Sequence, residues 1–291
     1  MTKIWGGIEA GGSHFVCAVG TGPDNIIDEV TFPTTTPSET LRKTIAFFAN
    51  RKNICGIGIG SFGPIDLDVT SDTFGWITST PKVEWQNTDF LDKVEKTLSI
   101  PTRIDTDVNA AALSEYLWGN AQNVDNFMYI TVGTGIGGST LINGKPIPSL
   151  THTEFGHIQI PRNKDIDDFT GCCLYHQDCL EGLASGPAIL MRWGYEAHKL
   201  EKSHPAWELE AHYLGLAITN AFCTLSPKRI IIGGGIMKHP LLLGQVRLKT
   251  QDILNNYIQS KSISSRIEEY IVPPKLGDRA GVLGAIALAK S

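Results

Sequence analysis

Apolar residues in this chain come in short runs that stop at glycines or polar turn residues. Residues 4–20, IWGGIEAGGSHFVCAVG, place two apolar segments on either side of Ala10-Gly11-Gly12-Ser13, which predicts strand, tight glycine turn, strand. A third segment, Val30-Thr31-Phe32, stops at Pro33, and Ser38 then caps a helix through LRKTIAFFA, where apolar residues recur at helical spacing. ICGIGIG at 54–60 predicts a buried strand running into the loop Ser61-Phe62-Gly63-Pro64-Ile65-Asp66, and strand ends in open α/β sheets are where ligands usually sit. Residues 74–90 are irregular, with Thr80-Pro81-Lys82 and an anchoring Trp85; LDKVEKTLS is a short helix. A strand from Pro101 gives way, at Asp105-Thr106-Asp107-Val108-Asn109, to the helix AAALSEYLWG.

Residues 127–142, FMYITVGTGIGGSTLI, repeat the opening pattern. Their letters match G-x-G-x-x-G through Gly133, Gly135 and Gly138, but a dinucleotide-binding turn opens into a helix. Here Ser139-Thr140-Leu141-Ile142 and the hairpin pair Asn143-Gly144 follow, so the prediction is again strand, glycine turn, strand. Both loops place Gly-Gly-Ser before an apolar strand, which points to a duplicated architecture with two phosphate-gripping turns. Beyond it, Gly182–Pro187 starts a helix, residues 190–225 keep helical periodicity, and Arg229–Ile232 is a short buried strand ending at Gly233-Gly234-Gly235. QDILNNYIQ reads as a helix, residues 267–272 as an edge-like strand, and AGVLGAIALAK as the last helix.

Composition narrows the class. At 291 residues the chain has room for two domains, and 42% hydrophobic with 19% charged residues is ordinary for a globular protein. A net charge of −5 argues against nucleic acid or an anionic membrane as partner. No apolar run approaches a membrane span, and the start lacks a signal peptide's apolar core. Six cysteines in a chain of this length do not form a disulfide framework; a reducing, cytoplasmic setting is expected.

Candidate chemistry concentrates between Thr153 and Glu181. His157, Cys173, His176 and Cys179 fall in a short span, with Glu154 before them and Glu181 after. Two thiolates and two imidazoles suit a closed tetrahedral Zn²⁺ that shapes a loop rather than activating water; the same letters also fit buried free cysteines beside ordinary histidines. Asp107, at a strand-to-helix junction, fits a helix N-cap as well as a functional carboxylate. Three glycines after the strand at 229–232 leave room for a flat group, or simply for a tight turn.

Taken together these residues resemble the ROK family of sugar kinases, of the actin/hexokinase superfamily, over nearly the whole chain. Glu154-x-Gly156-His157 and Cys179-x-Glu181-Gly182 are the specific part. Ser61–Asp66, Thr80-Pro81-Lys82 and Cys173-x-x-His176-x-x-Cys179 look like the bacterial zinc-containing fructokinase branch. The resemblance implies an α/β fold of two ribonuclease H-like domains around a cleft. Residues 1–117 would form the small domain, 118–278 the large one carrying the zinc loop, with a helix at about 279–291 packing back on the small one. It implies transfer of phosphate from ATP, with Mg²⁺, to a hexose, foremost D-fructose, giving fructose 6-phosphate. Asp107 would be the catalytic base. Gly11, Gly12, Ser13, Thr134, Gly135 and Gly137 would approach the phosphates, and Gly233, Gly234 and Gly235 the adenosine. Gly63, Pro64, Thr106, Asn109, Glu154, His157 and Glu181 would line the sugar, His157 also holding zinc. A homodimer is implied as well. Glucose, mannose and N-acetylmannosamine are the alternative acceptors. Repressors of the same family carry a helix-turn-helix before the first glycine hairpin, which here begins within ten residues of the start, and a non-catalytic sugar sensor would not need Asp107. Departures from the family pattern are Glu9 for a common Asp, Thr106 for a common Asn, and His176 for one zinc-ligating Cys, with Cys172 adjacent as a competing ligand.

Overall fold

The computed structural model describes residues 3–162 and 164–291. In chain order the strands β1 (Ile4–Ala10), β2 (His14–Gly22) and β3 (Asn25–Pro33) lead to helix α1 (Pro37–Ala49) and strand β4 (Ile54–Ser61). A small hairpin of β5 (Trp76–Ile77) and β6 (Thr88–Asp89) precedes α2 (Leu91–Leu98), β7 (Thr102–Thr106) and α3 (Asp107–Trp118). Then come β8 (Asn126–Val132), β9 (Ile136–Ile142) and the two-residue β10 (Lys145–Pro146). The helices α4 (Leu180–Ala184), α5 (Gly186–Trp193) and α6 (Ala206–Leu225) are followed by β11 (Arg229–Gly233) and α7 (Leu242–Leu254). Two short helices, α8 (Lys261–Ser264) and α9 (Ile267–Tyr270), precede β12 (Ile271–Val272), and α10 (Ala280–Lys290) ends the chain.

These elements fall into two compact units, one of residues up to 123 with 144–153 and 275–291, the other of 124–143 with 154–274. Residues 144–153, placed by the sequence reading with the second domain, thus cluster with the first. Gly144, with φ +75°, packs directly on the ring of Tyr116, where a Cβ would collide. The helix expected at 279–291 also belongs to the first unit.

The first unit is built on a sheet of order β3-β2-β1-β4-β7, in which β1 runs antiparallel to β2 and parallel to β4, and β4 parallel to β7. The second unit repeats the scheme: β8 runs antiparallel to β9 and parallel to β11, and β11 parallel to β12. The duplication expected from the two Gly-Gly-Ser hairpins is therefore present in strand order and direction. Each sheet carries its own apolar core: Ile8, Phe15, Ile57, Ile59, Trp85 and Phe90 in the first unit, and Met128, Ile130, Leu183, Trp207, Leu214 and Ile232 in the second. α10 is apolar on all sides and buried from Ala280 to Ala287. It packs so closely on α3 that a Cβ on Gly284 would overlap the carbonyl oxygen of Ala110.

Some elements differ from expectation. Helix α1 is capped by Thr36, whose hydroxyl accepts from the Glu39 N–H, so Ser38 lies in the first turn after Pro37. The helical pattern at 190–225 breaks at Gly194, whose φ of +77° closes α5 before α6 begins at Ala206. α7 ends at Leu254, because Asn255 and Asn256 both take positive φ and turn the chain out of the helix through QDILNNYIQ. Only Ile271 and Val272 of the expected 267–272 strand pair with β11; the preceding four residues form α9.

Candidate active site

In the first unit the carboxyl ends of β1, β4 and β7 gather three of the segments singled out above. Between β1 and β2 the turn is closed by Gly11, whose N–H donates to the His14 carbonyl at 3.0 Å. Gly12 and Ser13 lie between them, and a Cβ on Gly12 would stand 3.5 Å from Cε of Lys82. The irregular segment 78–86 therefore carries a lysine to the first glycine turn. It is held there by buried Thr80 and by Trp85, whose indole N–H donates to the Thr35 carbonyl at 2.7 Å. The lysine's place was not legible from its letters, since nothing local says which turn it reaches.

β7 feeds directly into α3. Thr106 is the N-cap: its buried hydroxyl accepts the Asn109 N–H at 3.1 Å. Asp107 is the first helical residue, with Oδ1 accepting its neighbour's Val108 N–H at 2.8 Å. The cap reading for Asp107 is thereby corrected, because the capping geometry belongs to the residue before it. A carboxylate in the first turn also sits where the helix dipole favours negative charge. Asn109 is buried and its Nδ2 donates to Asp105 Oδ1 at 2.6 Å, while the Thr106 N–H donates to the same oxygen at 2.7 Å. Burial raises the Asp105 carboxyl above the usual range, against these hydrogen bonds. After β4, Gly63 and Pro64 form a cis peptide, and Ile65 N–H donates to His152 Nε2 at 3.0 Å.

Glu9, at the end of β1, is pushed up to about 7, first by burial and then by the charge of Asp107, while a backbone hydrogen bond at Val282 in α10 opposes the rise. Its Oε2 is buried with no hydrogen-bond partner among the described residues.

In the second unit the turn between β8 and β9 holds Gly133, Thr134 and Gly135; the Gly133 N–H donates to the Gly135 carbonyl at 2.9 Å. The first residue of α5, Gly186, donates its N–H to the Gly133 carbonyl at 2.7 Å, fastening the turn to a helix start. Gly137 lies in β9. Glu181, in α4, sends Oε2 to accept the Ile136 N–H at 2.8 Å, so the residue after the metal span is tied to this hairpin. Gly233, Gly234 and Gly235 follow β11. The φ of +98° at Gly234 and its approach to the Val132 backbone leave no room for a side chain, and Gly235 has nothing within 4 Å of where a Cβ would stand.

The span from Glu154 to Cys179 folds so that four donors converge. Ligand atoms of His157, Cys173, His176 and Cys179 all lie within 4.8 Å of one another, a set that could hold a metal ion. His157 Nδ1 is 3.3 Å from His176 Nδ1, 3.5 Å from Cys179 Sγ and 3.7 Å from Cys173 Sγ. His157 Nε2 points the other way, 4.0 Å from Glu154 Oε2. Cys172 is not part of the set; its Sγ lies 4.0 Å from Ser185 Oγ.

Comparison with known proteins agrees with this architecture. The chain matches the ROK family over residues 5–291. It is 42% identical to a fructokinase of Streptococcus mutans over 100% of this chain and 98% of the relative, and 43% identical to a fructokinase of Zymomonas mobilis over 99% and 96%. Among solved structures it is similar to a ROK family glucokinase from Streptomyces griseus in complex with glucose and AMPPNP, with a TM-score of 0.80, 23% identity and 99% of each chain covered. The fold is thus the actin/hexokinase-like one of the ROK sugar kinases. With the match spanning both units and both glycine hairpins, the chain belongs to the ROK family.

Proposed function

We propose that this protein transfers the terminal phosphoryl group of MgATP to the 6-hydroxyl of D-fructose. The observation that carries the reading is the identity above 40% with fructokinases along the full chain, joined to an aspartate, Asp107, at the first position of a capped helix. Phosphoryl transfer asks for positioning and charge neutralisation more than for covalent chemistry. Asp107 accepts the proton of the attacking hydroxyl as the oxygen bonds to phosphorus. The backbone of Gly11, Gly12, Ser13, Thr134, Gly135 and Gly137 approaches the phosphates, the Gly11 N–H closing its own turn on the His14 carbonyl, and Lys82 adds positive charge beside the first turn. Gly233, Gly234 and Gly235 accommodate the adenosine. Gly63, Pro64, Thr106 and Asn109 meet the sugar, the amide of Asn109 held in one orientation by Asp105. Glu154, His157 and Glu181 hydrogen-bond its hydroxyls, Glu181 with the oxygen that Ile136 does not occupy.

The four-donor set fits zinc. Tetrahedral bonds of about 2.0 Å to nitrogen and 2.3 Å to sulfur separate ligands by roughly 3.3 Å (N to N) and roughly 3.5 Å (N to S). The distances of 3.3 Å between the two imidazoles and 3.5–3.7 Å from imidazole to thiol match. When bound, zinc would supply a cross-link of the loop and fix the tautomer of His157. With all four positions taken by protein, it would activate no water.

The six cysteines are all free, which supports a reducing, cytoplasmic location, and no helix of the described residues is long and apolar enough to cross a membrane. A homodimer is the assembly we infer from the family. Glucose, mannose and N-acetylmannosamine are the competing acceptors, kept in view by the similarity in fold to a glucokinase. The test is ATP-dependent phosphorylation of a hexose panel by the purified chain, with the product's position of attachment determined.

A further inference from the structure

We propose that His152 is a positioning residue for the sugar. It holds the Gly63–Ile65 loop in the arrangement that the acceptor binds. The inference rests on the functional reading above, because it gives a further residue to the same site.

The loop after β4 is pinned by backbone on both sides: Phe62 N–H donates to the Ala10 carbonyl at 2.8 Å, Asp66 N–H to the Trp76 carbonyl at 2.9 Å, and Thr78 N–H to the Pro64 carbonyl at 2.8 Å. The amide of buried Ile65 is different. It donates to a side chain 87 positions away, Nε2 of His152, at 3.0 Å. To accept that hydrogen bond the imidazole must be neutral with its proton on Nδ1, and burial holds its pKa below that of an ordinary histidine. The ring also packs against Gly63, where a Cβ would stand 3.3 Å from Cε1. The imidazole therefore bears on the loop carrying Gly63 and Pro64 in two ways, as acceptor at Nε2 and by packing at Cε1. Its neighbours in sequence on one side, Leu150 and Thr151, are exposed.

If the ring is lost, a buried N–H is left without a partner and the loop must rearrange to pair it. The cost falls on sugar binding, while the glycine turns and Asp107 keep their own anchors. His152→Leu removes the acceptor. His152→Asn keeps polarity but is too short to reach Ile65. His152→Gln can place its carbonyl oxygen where Nε2 stands. For the hexose turned over best, the Leu and Asn variants should raise KM roughly tenfold or more, with kcat and the KM for ATP within about twofold. The Gln variant should recover most of the loss, and thermal unfolding of each variant reports its fold. An unchanged sugar KM in the Leu and Asn variants, a Gln variant no better than Leu, or a parallel loss of kcat and both KM values would overturn the proposal. Failure of the unsubstituted protein to phosphorylate any hexose would overturn the functional reading and this role with it; the other outcomes leave that reading standing.

Discussion

The hydroxyl of Thr106 accepts the Asn109 N–H at 3.1 Å, and this one hydrogen bond relieves Asp107, the residue after it, of the capping role. With the cap supplied by Thr106, Asp107 opens the helix and its carboxylate is not needed to start it. Substituting Asp107→Asn keeps shape and removes basicity, so turnover should fall by about 10²–10⁴-fold, the usual scale for a positioned base. The unfolding midpoint should stay close to that of the unsubstituted protein. Steady-state kinetics and thermal unfolding on the same preparation check this; near-normal turnover would return Asp107 to a structural role.

The metal set predicts about one zinc per chain by elemental analysis, as a closed four-ligand site requires. Cys179 is fully buried at the start of α4, and replacing it by alanine should abolish retention of the metal and lower the unfolding temperature, because metal binding is coupled to folding. Chelation should produce the same fall in the unsubstituted protein. Equal stability and activity with and without zinc would remove the metal from the account.

Glu9 predicts a pH dependence of stability. Its folded pKa of about 7 lies above the ordinary value of 4.5. Its contribution to stability is therefore fully present below about pH 4.5 and is lost as the pH rises through about 7. Glu9→Gln removes this titration, so the variant should gain on the unsubstituted protein by roughly 2 kcal/mol between pH 5.5 and 8. Urea midpoints at the two pH values, without ATP or Mg²⁺, measure the difference. The slope is the readout, since a buried amide carries a pH-independent cost of its own. A gap that stays constant with pH would contradict the burial of this carboxyl beside Asp107.

Glycines between two apolar strands made both hairpins legible, because such a turn is a local signal and the strands pair with their nearest neighbours in sequence, although the second Gly-Gly-Ser itself lies inside β9 and the turn is at Gly133–Gly135. The metal donors were legible for the same reason: three of the four lie within seven residues and fold as one loop. Helix ends were less so. Thr36 and Ser38 are equally good caps on paper, and only the placement of Pro37 at the first helical position selects Thr36. Asn255 ends α7 by taking a left-handed conformation, which an asparagine inside an apolar pattern does not announce. Lys82 and His152 were missed as site residues because each acts on a segment distant in sequence. Glu181 was assigned to the sugar alone, yet one of its oxygens holds the Ile136 amide.

The central claim is acceptor identity, and kcat/KM for fructose, glucose, mannose and N-acetylmannosamine under the same MgATP tests it most directly. In the proposed site Glu154 and Glu181 would each offer acceptors to sugar hydroxyls, and a sugar that left one buried polar group unmet would lose about 1–3 kcal/mol. Fructose should therefore lead by roughly tenfold to a hundredfold, with phosphate on its 6-hydroxyl. A value for any of the other three that exceeds fructose tenfold would contradict the assignment.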